Sequence, residues 1–452
     1  MRPAARLTLL LLRRGGDTDR GALLLPVAAF GVVTALMLTV LGGARFFFTI
    51  RGPMAETYQS LAALAVILLV IPLLTLCGSA ARLSARRRDE HLSTLRLLGA
   101  PTSTVTSMTV LESTLLAAAG TLAGVLGHLL LAPLVGLVSF HDSRLGAGNV
   151  LLGVPGTVLC VVALVVMAAV SSLVGLRTVV VSPLGVRTRQ DAPRMSLVRV
   201  VAILLAVGLG LVAGDQLGDA QDIVGLVIGL VATFGVTMAV LNTLGPWVLR
   251  TIARRQARTA SGPKSAERLL AARTVLDSPK AAWRQVSGVS LTSFVAVFAG
   301  VGLALSNGMA GTGPMAREDA IMLVDLRTGI LLTLVISFVT VAASVAVNQS
   351  ADILDRRDLY VSLDRMGMPR SRVDTARRRA VLSPLRVVSL GSALVAALLI
   401  APLSGIALLT DPLSGLVIAA ALAAGIGIVW LSLLATAPLL TRVTGSTVRT
   451  AD

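Results

Sequence analysis

Apolar runs of roughly 20 residues recur along this chain, each long enough to cross a hydrocarbon core about 30 Å thick as a helix. No water reaches the backbone inside a bilayer. Each run must therefore satisfy its own N–H and C=O groups, and a helix does so. A β-barrel needs polar and apolar residues in alternation, which these runs lack. The expected fold class is all-α: a polytopic membrane protein of about ten transmembrane helices. Composition supports this, with 55% hydrophobic and 14% charged residues, where a soluble domain carries about 25% charged residues.

The spans are read at about Ala22–Leu41, Leu61–Ala81, Val105–Leu137, Val150–Leu176, Val200–Asp215, Ile223–Leu249, Val286–Leu305, Leu326–Val347, Val381–Leu403 and Leu413–Leu440. Met1–Arg14 reads as an interfacial amphipathic helix, and Ala266–Leu276 as a surface helix within a basic connector. Phe46, Phe47, Phe48 and Tyr58 fall where interfacial aromatics belong. An even number of spans puts both termini on one side. Loops on the other side hold Arg45, Arg51, Arg144 and Arg317, and nearly all other basic residues share the side of the termini. The positive-inside rule makes that side cytoplasmic. The net charge of +17 is then explained by basic cytoplasmic loops, and no nucleic-acid partner is expected. Cys77 and Cys160 lie in apolar spans without metal-ligand spacing, so neither a disulfide nor a metal site is expected.

Between the second and third spans the character changes. Ser84–Val105 is dense in charge, with Arg86, Arg87, Arg88, Asp89 and Glu90 in its first turns. Leu92, Leu95 and Leu98 repeat at i, i+3 and form one apolar stripe. Gly99 suits the residue just past a helix end, and Pro101 prevents its continuation. The stretch recurs at Asp352–Val373. At a constant offset Arg88, Leu95, Gly99, Pro101, Ser103 and Val105 fall on Arg356, Leu363, Gly367, Pro369, Ser371 and Val373. The shared order is apolar span, charged helix, Gly-x-Pro, apolar span. Such an internal repeat makes the chain two copies of one unit. The organisation read is a first four-span unit over 1–190, two linking spans and a basic connector over 191–284, and a second four-span unit over 285–452.

Enzymatic signatures are missing. Gly262-Pro-Lys-Ser lacks the spacing of a phosphate loop, and neither HExxH nor G-x-S-x-G occurs. His91, His128 and His141 are scattered. Inside the spans three polar residues stand out as candidates: Glu112, His128 and Arg386. Glu112 and Arg386 also read as interfacial snorkelling groups or a structural pair, and His128 as a hydrogen bond between helices. The Gly-rich stretches Gly120–Gly127 and Gly391–Ala397 suit close helix packing, or a substrate groove. The charged helices are either solvated segments that fix orientation or, given the duplication, docking sites for two copies of a symmetric partner.

The run RRRDEHLSTLRLLGAPTSTVTSMTVLESTLLAAAGTLAGVLG resembles the hallmark of FtsX-like (MacB-type) permeases of ABC transporters. The matching elements are Arg88 to Leu98, then Leu98-Gly99-Ala100, then Glu112; Ser182-Pro183-Leu184 resembles the segment that closes the family's unit. The four-two-four plan is similar to that of BceB-type members. The second unit departs, with Met366-Gly367-Met368 for Leu-Gly-Ala and Ala380 at the position of Glu112. The loops Arg45–Gln59 and Asn307–Met322 leave no room for the large extracytoplasmic domain of many relatives.

The resemblance implies a bacterial cytoplasmic-membrane permease subunit with both termini in the cytoplasm. It implies that the chain is not itself an enzyme and binds no cofactor, ATP and Mg2+ residing on a separate homodimeric ATPase, one permease chain serving two ATPase subunits. Contact would fall on Arg87, Arg88, Glu90, Leu92, Leu95, Leu98 and Gly99 in the first unit. In the second it would fall on Arg356, Asp358, Leu363, Met366 and Gly367. The implied activity is export or extraction of a hydrophobic peptide, antibiotic or lipid by mechanotransmission. A signalling component that controls a cell-wall hydrolase or sensor kinase is the alternative. An ion-coupled transporter would call for paired acids near mid-membrane, and none is read.

Overall fold

The computed structural model describes residues 17–52, 54–86, 101–181, 223–262, 265–310, 317–404 and 412–438. Their backbone is helical almost throughout. The helices are α1 (Asp17–Phe47), α2 (Ala55–Arg86), α3 (Thr102–Gly136), α4 (Ala147–Val150), α5 (Val154–Val181), α6 (Ile223–Arg258), α7 (Ser265–Asp277), α8 (Pro279–Ala310), α9 (Arg317–Asp355), α10 (Arg357–Arg365), α11 (Arg370–Ser404) and α12 (Pro412–Ala435). One hairpin interrupts them, β1 (Ser139–Phe140) paired antiparallel with β2 (Ser143–Arg144).

Among the described residues eight helices are long and apolar enough to cross a membrane: Leu24–Phe47, Ala55–Ala81, Thr106–Gly136, Val154–Leu173, Pro279–Ala304, Arg317–Ile353, Arg370–Leu398 and Gly415–Ala435. The chain is an all-α polytopic membrane protein. The expected span at Val200–Asp215, the helix at Met1–Arg14 and the tail from Thr441 lie outside the described residues. The expected span at Ile223–Leu249 falls on α6, whose first-half side chains also lie outside them.

The chain divides into two compact units, Met1–Arg51 with Leu69–Gln190, and Gly52–Leu68 with Asp191–Asp452. In the first, α1 packs on α3 at a glycine seam. A Cβ on Gly120 would lie 2.7 Å from the Val27 carbonyl oxygen, and one on Gly124 would lie 2.6 Å from that of Gly31. Lipid is as apolar as leucine, so helices in a bilayer gain from such close backbone approach rather than from hydrophobic burial. The hairpin caps this unit. His141 and Asp142 carry φ of 55° and 58°, the left-handed pair that a two-residue turn requires. Phe140 packs edge-on against Phe47, ring centroids 5.1 Å apart. Phe46 and Phe47, read as interfacial aromatics, thus belong to a small core with Phe140, Leu145 and Val150, while Phe48 stays exposed.

In the second unit α8 is the central helix and packs against α9, α11 and α12. Serines hold it to α11: Ser290 lies 2.5 Å from Ser392 and Ser293 2.8 Å from Ser389. Each pair satisfies hydroxyls that water cannot reach. Many other hydroxyls in the spans bond back to their own helix, as Thr340 does to the Ile336 carbonyl at 2.8 Å.

Candidate functional site

The charged segment of the second repeat shows how its sequence sets its shape. Helix α9 runs on past its apolar part to Asp355, and the short helix α10 follows at once. At the junction Arg356 folds back on Asp352, Nε to Oδ1 3.0 Å, in a half-buried ion pair. Helix α10 is amphipathic. Tyr360 turns inward and joins Ile353 and Val373 in a small core, against which Leu363 and Met368 pack. Burial, and after it the Asp352 carboxylate, push the Tyr360 phenol up to about 12, despite the opposing charges of Arg356 and Arg377. The phenol therefore stays protonated at neutral pH.

Helix α10 ends as the Gly-x-Pro pattern predicts. Gly367 has φ +81°, which a residue without Cβ adopts freely. Its N–H donates to the Asp364 carbonyl and the Met368 N–H to the Leu363 carbonyl, both at 3.0 Å. That bond pair is the Schellman motif, and the Leu363–Met368 contact is its usual apolar companion. Pro369 then opens α11 by offering its carbonyl to the N–H groups of Arg372 and Val373. Across the turn Arg370 donates to both Asp364 oxygens, at 3.0 and 3.2 Å. These bonds hold the Asp364 carboxyl below its ordinary range.

The base of α11 is anchored by charge. Arg377 is only 5% exposed. It donates to Asp374 Oδ1 at 2.9 Å, to the Leu433 carbonyl at 3.0 Å and to Thr436 Oγ1 at 3.1 Å. Asp374 also pairs with Arg378, and Arg379 reaches Glu267 of α7 at 3.1 Å. The helix pair α10–α11 is thereby tied to α7 and α12.

What α10 leaves outside is equally informative. Leu359, Leu363 and Met366 repeat at i, i+4, i+7 and form one stripe. Leu363 is half-buried, but Leu359 is 40% and Met366 73% exposed. This apolar surface sits on a helix braced from both ends. Of the candidate residues here, Arg356 braces the α9–α10 junction, Leu363 and Gly367 are structural members of the turn, and Met366 is its exposed apolar tip. The Asp358 side chain lies outside the described residues, as do Arg87, Arg88, Glu90, Leu92, Leu95, Leu98 and Gly99 of the first repeat. Leu359 escaped the sequence reading, although its i, i+4, i+7 spacing with Leu363 and Met366 was there to find.

The intramembrane candidates are placed separately. His128 of α3 is 2% exposed, with Nδ1 3.0 Å from Thr39 Oγ1 of α1. Thr39 gives its hydroxyl hydrogen to the Ala35 carbonyl at 2.7 Å, so the imidazole donates from Nδ1, and Nε2 has no partner among the described residues. Glu112 is half-buried in the first unit, and Arg386 is exposed in the second. On α11, Arg386 heads the row Leu390, Leu394 and Leu398, all exposed at i+4 intervals; that is the geometry of a snorkelling arginine. One polar group went unread. Asp325 was placed just outside a span, but α9 continues through it. Asp325 is 5% exposed and accepts a 2.6 Å hydrogen bond from the Tyr58 hydroxyl. Tyr58 is accordingly buried rather than interfacial. Cys77 and Cys160 are free thiols.

Residues 76–180 match the family described as FtsX-like permease C-terminal. The matched stretch carries the end of α2, the first charged segment, α3 and nearly all of α5. No curated protein and no solved structure matches the chain.

Proposed function

We propose that this chain is the membrane-spanning subunit of an ABC-type system, driven by separate ATPase subunits that dock on its two charged segments. The family match over residues 76–180 carries this reading, because it spans the first of those segments and the spans on either side. FtsX-like permeases are membrane components whose ATPase is a separate chain. The second segment supports the reading physically. Helix α10 presents Leu359 and Met366 outward, while its turn, its ion pairs and the Arg377 anchor fix it to the bundle.

Force applied to such a helix is passed to α9 and α11 rather than absorbed by a flexible loop. On this reading α10 faces the cytoplasm, one chain serves an ATPase dimer, and the ten-span plan divides four, two, four. ATP-driven closure of the dimer moves the two charged segments, a rigid-body switch between two states. The work is export or extraction of a hydrophobic peptide, antibiotic or lipid drawn from the bilayer. The test is ATPase stimulation. A candidate nucleotide-binding subunit is assayed alone and with the chain in nanodiscs. The reading predicts hydrolysis that depends on the chain and falls at least tenfold with Met366→Asp. Hydrolysis indifferent to the chain contradicts it.

A further inference from the structure

We propose that the lipid-facing side of α11 holds one anionic phospholipid, its phosphate on Arg386 and Ser383 and an acyl chain along Leu390, Leu394 and Leu398. The lipid belongs to the leaflet on the α10 side of the bundle. The inference goes beyond the ABC reading and does not depend on it.

The site begins with a charge that the protein does not neutralise. Arg377, buried against Leu433 and Thr436, marks the end of the bundle on this side. Arg386 stands further along α11 by roughly 13 Å, at 1.5 Å per residue, and is exposed. Among the described residues no carboxylate or carbonyl pairs with it. The acids around the base of α11 are taken, Asp374 by Arg377 and Arg378, and Glu267 by Arg379. An unpaired arginine facing hydrocarbon is unfavourable. The counter-ion within reach in a bilayer is a headgroup phosphate, which takes two parallel N–H bonds from a guanidinium.

The surroundings suit such a headgroup. Side chains on a helix lean toward its N-terminus, over the residues three and four positions back. For Arg386 these are Ser383 and Leu382. Ser383 accepts from Gln256 Nε2 of α6 at 2.6 Å, and its own hydroxyl hydrogen goes to no acceptor among the described residues. That hydrogen is left to donate to a phosphate oxygen beside the guanidinium. Beyond Arg386 the same face is apolar. Leu390, Leu394 and Leu398 are 61%, 62% and 65% exposed. They carry the row roughly 18 Å from the arginine, about the depth of one leaflet. A second membrane helix fits this face less well. Helices in lipid approach one another through small residues, and here Gly391 is outnumbered by Val387 and the three leucines.

The test uses the full chain in detergent, with phosphatidylglycerol or phosphatidylcholine added and bound lipid counted by native mass spectrometry. Arg386→Leu only extends the leucine row, so membrane insertion should be unchanged. The proposal predicts that it weakens phosphatidylglycerol binding about fivefold, the contribution of one arginine at an anionic surface, and leaves phosphatidylcholine binding as it was. Arg372→Leu, which removes an exposed arginine from the first turn of α11, should bind both lipids as wild type does. In wild type, phosphatidylglycerol with a diazirine in its acyl chain should label the Leu390–Leu398 row. Undiminished binding by Arg386→Leu overturns the proposal. Equal losses from Arg386→Leu and Arg372→Leu overturn it as well, since the attraction is then diffuse. Labelling spread evenly onto Leu331 of α9 and Leu416 of α12 also contradicts it. Displacement of the lipid by an equal concentration of glycerophosphate makes this a site for free anions and overturns the lipid assignment.

Discussion

The Asp364 carboxylate and the Arg370 guanidinium close a two-bond fork, 3.0 and 3.2 Å, across the turn that joins α10 to α11. Both side chains stand at the surface, so water and salt screen the pair. Its effect is local: it holds the turn that carries the exposed apolar tip. The depressed Asp364 pKa sets the sign. The stabilisation is fully present above the ordinary carboxylate range and is lost as pH falls through the lowered value. Asp364→Asn removes it at every pH. Hydrogen exchange at the Gly367 and Met368 amides should be faster in that variant at neutral pH, and the difference from wild type should vanish in acid.

Gly367 supplies the positive φ of the same turn. Gly367→Ala forces a Cβ into the left-handed region, at about 1–2 kcal/mol. The loss should appear as lower thermal stability and as fraying of α10, with α8 and α12 unaffected. An unchanged melting temperature would show that the turn can relax around the new side chain.

Arg377 is the most deeply committed charge on α11, with three acceptors on two elements. Arg377→Met removes the bonds to all three, leaves Asp374 to Arg378 alone and the Leu433 carbonyl to Thr436 Oγ1, and should cost about 1–3 kcal/mol. Arg377→Lys should not restore stability, since an ammonium cannot reproduce the planar fork. Thermal unfolding of the detergent-solubilised variants measures both.

The serine pairs between α8 and α11 are worth less individually. A double-mutant cycle on Ser290→Ala and Ser392→Ala should give a coupling of about 0.6 kcal/mol, the typical value for hydrogen bonds between membrane helices. Their effect is on register, because Ser293–Ser389 repeats the contact one turn away.

In the first unit Gly124→Ala places a Cβ 2.5 Å from that of Thr34 and 2.6 Å from the Gly31 carbonyl oxygen. The helices must separate, at about 1–3 kcal/mol. The separation should also lengthen the Thr39–His128 bond, read as a shifted Nδ1 resonance in labelled protein.

Much of this was legible beforehand because a bilayer simplifies the code. Apolar length alone placed spans at about Ala22–Leu41 and Leu413–Leu440, where the structure has Leu24–Phe47 and Gly415–Ala435, since nothing but a helix satisfies such a run in lipid. The Gly-x-Pro stop was equally plain, because Gly367 and Pro369 act through backbone geometry that no neighbour can override. Burial was harder. Tyr58 looked interfacial by position, yet its environment is set by Asp325, some 267 residues away in sequence. The hairpin at Ser139–Arg144 is too short for any periodicity to announce it. Leu359 shares an i, i+4, i+7 spacing with Leu363 and Met366, but the charged residues between them mask the stripe until the helix phase is known. Arg377 looked like one more basic residue of a cytoplasmic stretch; only the carbonyl of Leu433 and the hydroxyl of Thr436 make it an anchor.

The most direct test of the account is retention of the nucleotide-binding subunit by wild-type chain and by a Leu359→Asp, Met366→Asp variant, co-expressed and purified from membranes. These two side chains project from α10 without entering its core, so the variant should insert and fold normally. The account predicts that wild type brings the subunit down at a fixed ratio and that the variant loses most of it at unchanged membrane yield. Equal retention by both would contradict the claim that α10 is a docking helix.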